Sequence, residues 1–105
     1  MRRGEVWWAD LPAPVGRRPV VLLSRNETYD ARNQATVAYV TSRIRNIPVE
    51  VPLGPEDGLQ QSCVVNLDNV NTIRLERLRD LIAPLSPQKL RAVERAIRFA
   101  LALSD

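Results

Sequence analysis

Two short segments of the chain carry arginines and no acidic residue. Residues 11–19 contain Arg17 and Arg18, and residues 41–46 contain Arg43 and Arg45. These four positive charges exceed the formal net charge of the whole chain, +3, so the remaining sequence is slightly negative. A guanidinium offers five donors in a planar fork, which suits the oxygens of a phosphate. The pattern therefore favours binding of a polyanion.

The first arginine pair stands directly before Pro19, at the entrance of the apolar run PVVLL. Proline fixes its own φ and pushes the residue before it into an extended conformation, so backbone geometry holds Arg18. Because side chains alternate along a strand, Arg17 and Arg18 must point to opposite faces. One guanidinium can then enter a cleft while the other reaches solvent. Two arginines that only solvate a strand end would show the same spacing, and both interpretations stay open.

Hydroxyl and amide side chains accompany the basic segments. If the segments flank neighbouring antiparallel strands, they meet at one end of the sheet and form an electropositive cleft. We expect this cleft to include the hydroxyls of Thr41 and Ser42 and the amides of Asn46, Asn69 and Asn71.

The composition excludes several classes of chemistry. Histidine is absent, which removes the usual general base and most zinc sites. Cys63 is the single cysteine, so it cannot form an internal disulfide, which fits a reducing cytosol. No apolar run approaches the roughly 20 residues of a membrane span, and no long apolar segment follows the basic start. We expect a cytoplasmic protein that does not cross a membrane.

The elements that must position these residues form a single domain, 1–105, that is mainly β with a C-terminal helix. Helical periodicity, a Ser86 N-cap and Pro87 at the first position predict a helix over 86–103. Short strands between tight turns predict a small, strongly curved β-barrel. The predicted strands cover residues 4–12, 18–24, 35–42, 47–53, 62–70 and 77–85.

The predicted helix has two adjacent apolar stripes. The first should face the sheet and comprises Leu90, Val93, Ile97 and Ala100. The second comprises Ala92, Ala96, Phe99 and Leu103. One small barrel needs only one of these stripes, so the second predicts packing against another copy of the chain.

Segments along the whole chain resemble the MazF/PemK/Kid toxins. They are RRGEVWWADL, RRPVVLLS, VAYVTSRI, IPVEVPL, CVVNLDNVNTI and LSPQKLRAVERAI, in this order. The resemblance implies an SH3-like (CcdB/MazF-type) small barrel that forms a homodimer. It implies a metal-independent endoribonuclease that needs no cofactor and cuts single-stranded messenger RNA, leaving a 2′,3′-cyclic phosphate and a 5′-hydroxyl. It also implies inhibition by a cognate MazE-like antitoxin with an acidic tail.

The resemblance assigns roles to particular residues. It makes Arg18, in the RP dipeptide, and Thr41, in VTSRI, the catalytic pair. The expected RNA contacts are Arg17, Ser42, Arg43, Arg45, Asn46, Asn69 and Asn71, although Arg17 has no secure role in the family.

The chain departs from the family pattern at two places. The loop before Arg17 is short and lacks a family glutamate that is a candidate base, so the general base here is unassigned. Asn71 stands where many members have an arginine.

Two other functions remain as alternatives. The first is a non-catalytic barrel that poisons a protein target, as CcdB toxins do with an apolar C-terminus containing tryptophan. This chain ends in ALALSD, without tryptophan, which counts against that function. The second is a module that binds single-stranded RNA without turnover.

Overall fold

The computed structural model describes residues 1–104 as a curled antiparallel sheet with a helix packed on it. The strands are β1 (Glu5–Asp10), β2 (Arg17–Leu22), β3 (Gln34–Thr41), β4 (Glu50–Leu53), β5 (Cys63–Arg74) and β6 (Leu78–Pro84). The helices are α1 (Glu27–Ala31) and α2 (Pro87–Ala100). The strand order is β4-β5-β3-β2-β1-β6. The predicted class, mainly β with a C-terminal helix, is confirmed.

The apolar side chains form two clusters on opposite faces of the sheet. Val20 and Val21 are both fully buried yet belong to different clusters, because neighbouring strand residues point to opposite faces. One cluster includes Val93 of α2, and the other includes Tyr29 of α1. The prediction that the second strand is covered on both faces is confirmed.

Helix α2 begins as predicted and ends earlier than predicted. The side chain of Ser86 accepts a hydrogen bond from the backbone N–H of Lys89, at 3.1 Å, and Pro87 occupies the first turn. The helix ends at Ala100, and Ala102 has a positive φ of 56°. An alanine in this left-handed region cannot continue the helix, which explains the early end.

The prediction for the second apolar stripe is half wrong. Ala96 is only 4% exposed and lies in the same core cluster as Val93, and Ala92 packs partly against that cluster. Small side chains let α2 approach the sheet closely, so Ala96 is covered within the protomer and Ala92 is covered in part. Phe99 and Leu103 remain 63% and 55% exposed.

The fourth predicted strand is shorter than expected. Residues 47–53 alternate in polarity, but only Glu50–Leu53 form β4, and Glu50 and Val51 are both buried. The backbone N–H of Glu50 instead donates to the carbonyl of Ile47, at 2.9 Å, and closes a turn before the strand. The fifth strand is longer than predicted, since it continues from Cys63 to Arg74.

Candidate functional site

The pairing of β2 with β3 brings Arg18 and Thr41 to the same place. Val20 lies opposite Tyr39, and Leu22 lies opposite Val37. The observed pairing ends at Val20, and extending its register by two residues would set Arg18 against Thr41, which agrees with the pocket that both residues line. Residues opposite each other across strands project from the same face and lie close enough to act on one group.

A pocket of about 380 Å³ opens at this end of the sheet, and we call it the arginine pocket. Its lining combines cationic, hydroxyl and amide side chains and contains no carboxylate. It is lined by Trp8, Arg17, Arg18, Pro19, Val40, Thr41, Ser42, Leu59, Gln60, Gln61 and Cys63. A larger depression of about 760 Å³ lies beside α1, and none of the predicted site residues line it.

Arg18 holds a positive charge that no carboxylate in residues 1–104 neutralises. The side chain is half-buried, and its guanidinium carbon lies 5.7 Å from the centre of the Tyr39 ring. Its Nε atom is buried and has no hydrogen-bond partner among the described residues. A cation held in this way retains its full attraction for an anion that enters the pocket.

Arg17 has a different environment, although it lines the same pocket. Its side chain is 51% exposed, stacks 4.6 Å above the Trp8 ring and lies 3.8 Å from a carboxylate oxygen of Asp10. A hydrogen bond from Arg79 lowers the pKa of Asp10, and the nearby charge of Arg17 contributes to the same shift. Asp10 is therefore ionised at neutral pH and partly neutralises Arg17. Both arginines therefore line the pocket, while the Arg17 side chain remains half exposed.

The Thr41 hydroxyl is oriented by the loop that follows it. Its oxygen accepts a hydrogen bond from the backbone N–H of Arg43, at 3.2 Å. The hydroxyl hydrogen is then available for donation to a group in the arginine pocket.

The remaining predicted contacts lie in two separate regions. Ser42 lines the pocket, and Arg43, Arg45 and Asn46 follow it in the β3–β4 loop, residues 42–49, where all three are exposed. The amide of Asn71 donates to the Asn69 side-chain oxygen at 3.1 Å.

These two asparagines lie away from the pocket along β5. Asn71 pairs with Val37, whereas Val64 pairs with Thr41, so the two positions on β5 are seven residues apart. The pairing of β5 with β3 is irregular between these positions, so the separation follows their partners on β3, Val37 and Thr41, which are four residues and roughly 13 Å apart along the strand. Within one protomer, Asn69 and Asn71 therefore do not join the arginine pocket.

The sequence analysis missed two glutamines that the β4–β5 connection places in the pocket. Leu53 pairs with Cys63, which brings Gln60 and Gln61 next to Arg18 and Thr41. Two consecutive amides that follow the turn residues GPEDG after one leucine were the available signal. Cys63 is buried, burial raises the pKa of its thiol, and its Sγ lies 3.8 Å from the Leu53 carbonyl oxygen. It is thus a protonated packing residue.

The described part of the chain contains neither a metal-binding group nor a membrane-spanning helix. In residues 1–104, no three side chains of histidine, cysteine, aspartate or glutamate converge in a way that could hold a metal ion. No helix in the same residues is long and apolar enough to cross a membrane.

Comparison with known proteins gives one consistent result. Residues 2–101 match the family described as the PemK-like, MazF-like toxin of type II toxin–antitoxin systems. The chain is 38% identical to a probable endoribonuclease, MazF5, of Mycobacterium tuberculosis, over 93% of this chain and 90% of the relative. It is 30% identical to endoribonuclease EndoA of Bacillus subtilis, over 100% of this chain and 97% of that protein.

Solved structures agree with the sequence relatives. The Mycobacterium tuberculosis toxin MazF-mt6 superposes with a TM-score of 0.89 at 32% identity, over 96% of this chain and 99% of that chain. A mycobacterial endoribonuclease in complex with its cognate antitoxin superposes with a TM-score of 0.88 at 28% identity, over 100% and 98%.

Proposed function

The chain belongs to the PemK-like, MazF-like toxin family of type II toxin–antitoxin systems, and from this premise we propose how it acts as an endoribonuclease. It cleaves single-stranded RNA, messenger RNA in particular, at the arginine pocket. The observation that carries this proposal is the uncompensated charge of Arg18 in a pocket that the hydroxyl-bearing Thr41 also lines. A messenger RNA substrate and a lone buried thiol both fit the cytoplasm, where we place the protein.

The reaction needs a nucleophile, and the RNA itself supplies it. The 2′-oxygen attacks the adjacent phosphorus and loses its proton, the bond from phosphorus to the 5′-oxygen breaks, and that oxygen takes a proton from water. The products are a 2′,3′-cyclic phosphate and a 5′-hydroxyl. Arg18 donates to the phosphoryl oxygens, where negative charge develops, and Thr41 donates its free hydroxyl hydrogen to the same group.

No side chain of the arginine pocket can act as a general base. An arginine cannot be deprotonated in a protein, so it cannot accept a proton. Asp10 has a lowered pKa and is engaged by Arg79 at 2.9 Å, which makes it a poor proton acceptor. We therefore attribute the acceleration of RNA cleavage to stabilisation of the transition-state charge. The proton of the 2′-hydroxyl passes to water.

The test of this function is a cleavage assay in excess chelator. We expect purified protein to cut long single-stranded RNA into fragments with EDTA present, because the chemistry uses only Arg18, Thr41 and the substrate. Gel electrophoresis over a time course measures the fragments. A strict requirement for magnesium would contradict the mechanism, and tight binding without any fragments would favour the RNA-binding module.

The alternative of a non-catalytic, CcdB-like poison has less support. The matched relatives are named as endoribonucleases, and the match covers nearly the whole chain.

We also propose that two copies pair around a two-fold axis. Phe99, Leu101 and Leu103 are each more than half exposed at the end of α2. Beside them is a groove of about 250 Å³ between α2 and β4, which includes Pro48 and Pro52. A second copy would remove this apolar surface from water.

The proposed inhibitor is an antitoxin whose acidic tail competes with RNA for the same charges. A related toxin has been solved with its cognate antitoxin. Arg43 and Arg45 are exposed and have no carboxylate partner among the described residues, so a flexible polyanion can pair with both. Such a tail would fold on binding and gain charge-assisted hydrogen bonds.

Removing both loop arginines tests this shared site. For the double variant Arg43→Ala/Arg45→Ala, we expect the slope of log K for RNA against log salt to flatten by about 1.4, since each phosphate contact contributes about 0.7. The affinity for the antitoxin should fall as well. Salt titrations by fluorescence anisotropy measure both effects.

A matched control is Arg2→Ala/Arg91→Ala, which removes two exposed arginines outside the pocket and should leave the slope unchanged. A competition titration completes the test. An antitoxin that binds fully while RNA stays bound would refute the shared site.

A further inference from the structure

Glu50 is a buried carboxylate at the first position of β4. It is only 9% exposed and lies opposite Asn66 of β5. Burying a charged carboxylate is unfavourable unless hydrogen bonds replace its water. The partners of this side chain therefore indicate why a glutamate stands here.

The hydrogen bonds of the Glu50 carboxylate run to the β3–β4 loop. Its Oε1 accepts the backbone N–H of Arg45 at 2.9 Å and that of Asn46 at 3.0 Å. Its Oε2 is buried and has no hydrogen-bond partner among the described residues. Both hydrogen bonds that this carboxylate makes among the described residues therefore go to the backbone of the loop.

Few other contacts hold the β3–β4 loop in its position. Residues 42–48 are all exposed and form no regular secondary structure. Asn46 has a positive φ of 57°, which turns the chain at the point where Glu50 holds it. The other polar contacts of the loop are local, from Arg43 N–H to the Thr41 hydroxyl and from Glu50 N–H to the Ile47 carbonyl.

We propose that Glu50 is a positioning residue for RNA binding. Its carboxylate holds the backbone of Arg45 and Asn46 through two hydrogen bonds. The loop arginines are thereby positioned beside the arginine pocket in the absence of RNA. This inference rests on the proposed function, because it assumes that the loop contacts the substrate. Without the anchor, RNA would have to order the loop on binding, which weakens affinity while leaving Arg18 and Thr41 in place.

The substitutions Glu50→Gln and Glu50→Ala separate two contributions of the carboxylate, its negative charge and its hydrogen-bond acceptor oxygen. Glutamine keeps an oxygen acceptor but loses the charge that strengthens both hydrogen bonds, whereas alanine removes the acceptor. We expect hydrogen exchange of the Arg45 and Asn46 amides to accelerate about tenfold or more in the alanine variant and less in the glutamine variant. In the RNA assay, KM should rise about tenfold for alanine, and kcat should change little.

The control is Glu94→Gln, which removes the charge from a half-buried carboxylate that pairs with Arg3 at 2.5 Å, outside the loop. It should leave exchange at Arg45 and Asn46 and the KM for RNA unchanged. If Glu50→Ala does not fold, the smaller changes in amide exchange and in KM expected for Glu50→Gln test the proposal.

The exchange measurement needs no RNA, so it tests the anchor even if the protein cleaves nothing. Unchanged exchange at Arg45 and Asn46 in both variants would overturn the anchor. Faster exchange with an unchanged KM would overturn the link to RNA binding. A rise in KM of equal size for Glu94→Gln would show a general loss of stability and would overturn the positioning role.

Discussion

The variant Arg18→Ala is expected to lower kcat for RNA cleavage by about 10²–10³-fold, the scale of one lost transition-state donor. The fold should survive, because no ion pair in the described residues uses Arg18 and its Nε has no internal partner. The free energy of unfolding should change by less than about 1 kcal/mol. Single-turnover cleavage assays and thermal unfolding measure the two quantities on the same sample.

Arg17→Ala provides the matched control, since it removes the neighbouring guanidinium from the same pocket. Arg17 is half exposed and already shares the charge of Asp10, so its loss should change the rate by less than about fivefold. Arg18→Lys keeps the charge but not the planar fork and should remain at least about tenfold below the native protein. A loss for Arg17→Ala as large as that for Arg18→Ala would show that the wrong arginine has been assigned.

Features that depend only on residues close together in the sequence could be predicted from local sequence patterns. The apolar run after Pro19 predicts a strand covered on both faces, and Val20, Val21 and Leu22 are fully buried. The serine and proline at the start of α2 predict its first turn, and Ser86 caps it. Arg18 and Thr41 were assigned by resemblance, and both line the arginine pocket.

Features that depend on distant pairing could not be predicted from local patterns. Gln60 and Gln61 enter the arginine pocket only because β4 pairs with β5. Asn71 lies away from the pocket because β5 continues for 12 residues, a length that the polar sequence after Leu67 does not indicate. Glu50 occupies a polar position of an alternating run and is nevertheless buried, because loop amides that lie four and five residues before it bind its carboxylate.

The second large effect concerns the substrate and not the protein. RNA with a 2′-O-methyl group on the nucleotide 5′ to the cut should resist cleavage, because the methylated oxygen cannot release a proton and form the cyclic product. Binding should persist, since the phosphates that pair with the arginines are unchanged. Mass spectrometry of the products of unmodified RNA should show a 2′,3′-cyclic phosphate on one fragment and a 5′-hydroxyl on the other.

The modified RNA should also act as a competitive inhibitor of unmodified RNA, with an inhibition constant near the Kd of the substrate. This combination separates chemistry from binding, because a loss of cleavage caused by weak binding would leave no inhibition. Cleavage of the methylated RNA at the native rate would mean that water is the nucleophile. Water would then need a base to activate it, and the arginine pocket, lined by arginine, hydroxyl and amide groups without a carboxylate, contains none. The 2′-hydroxyl is already held beside its phosphorus by the RNA chain, so we expect it to depend less on a protein base than a free water would.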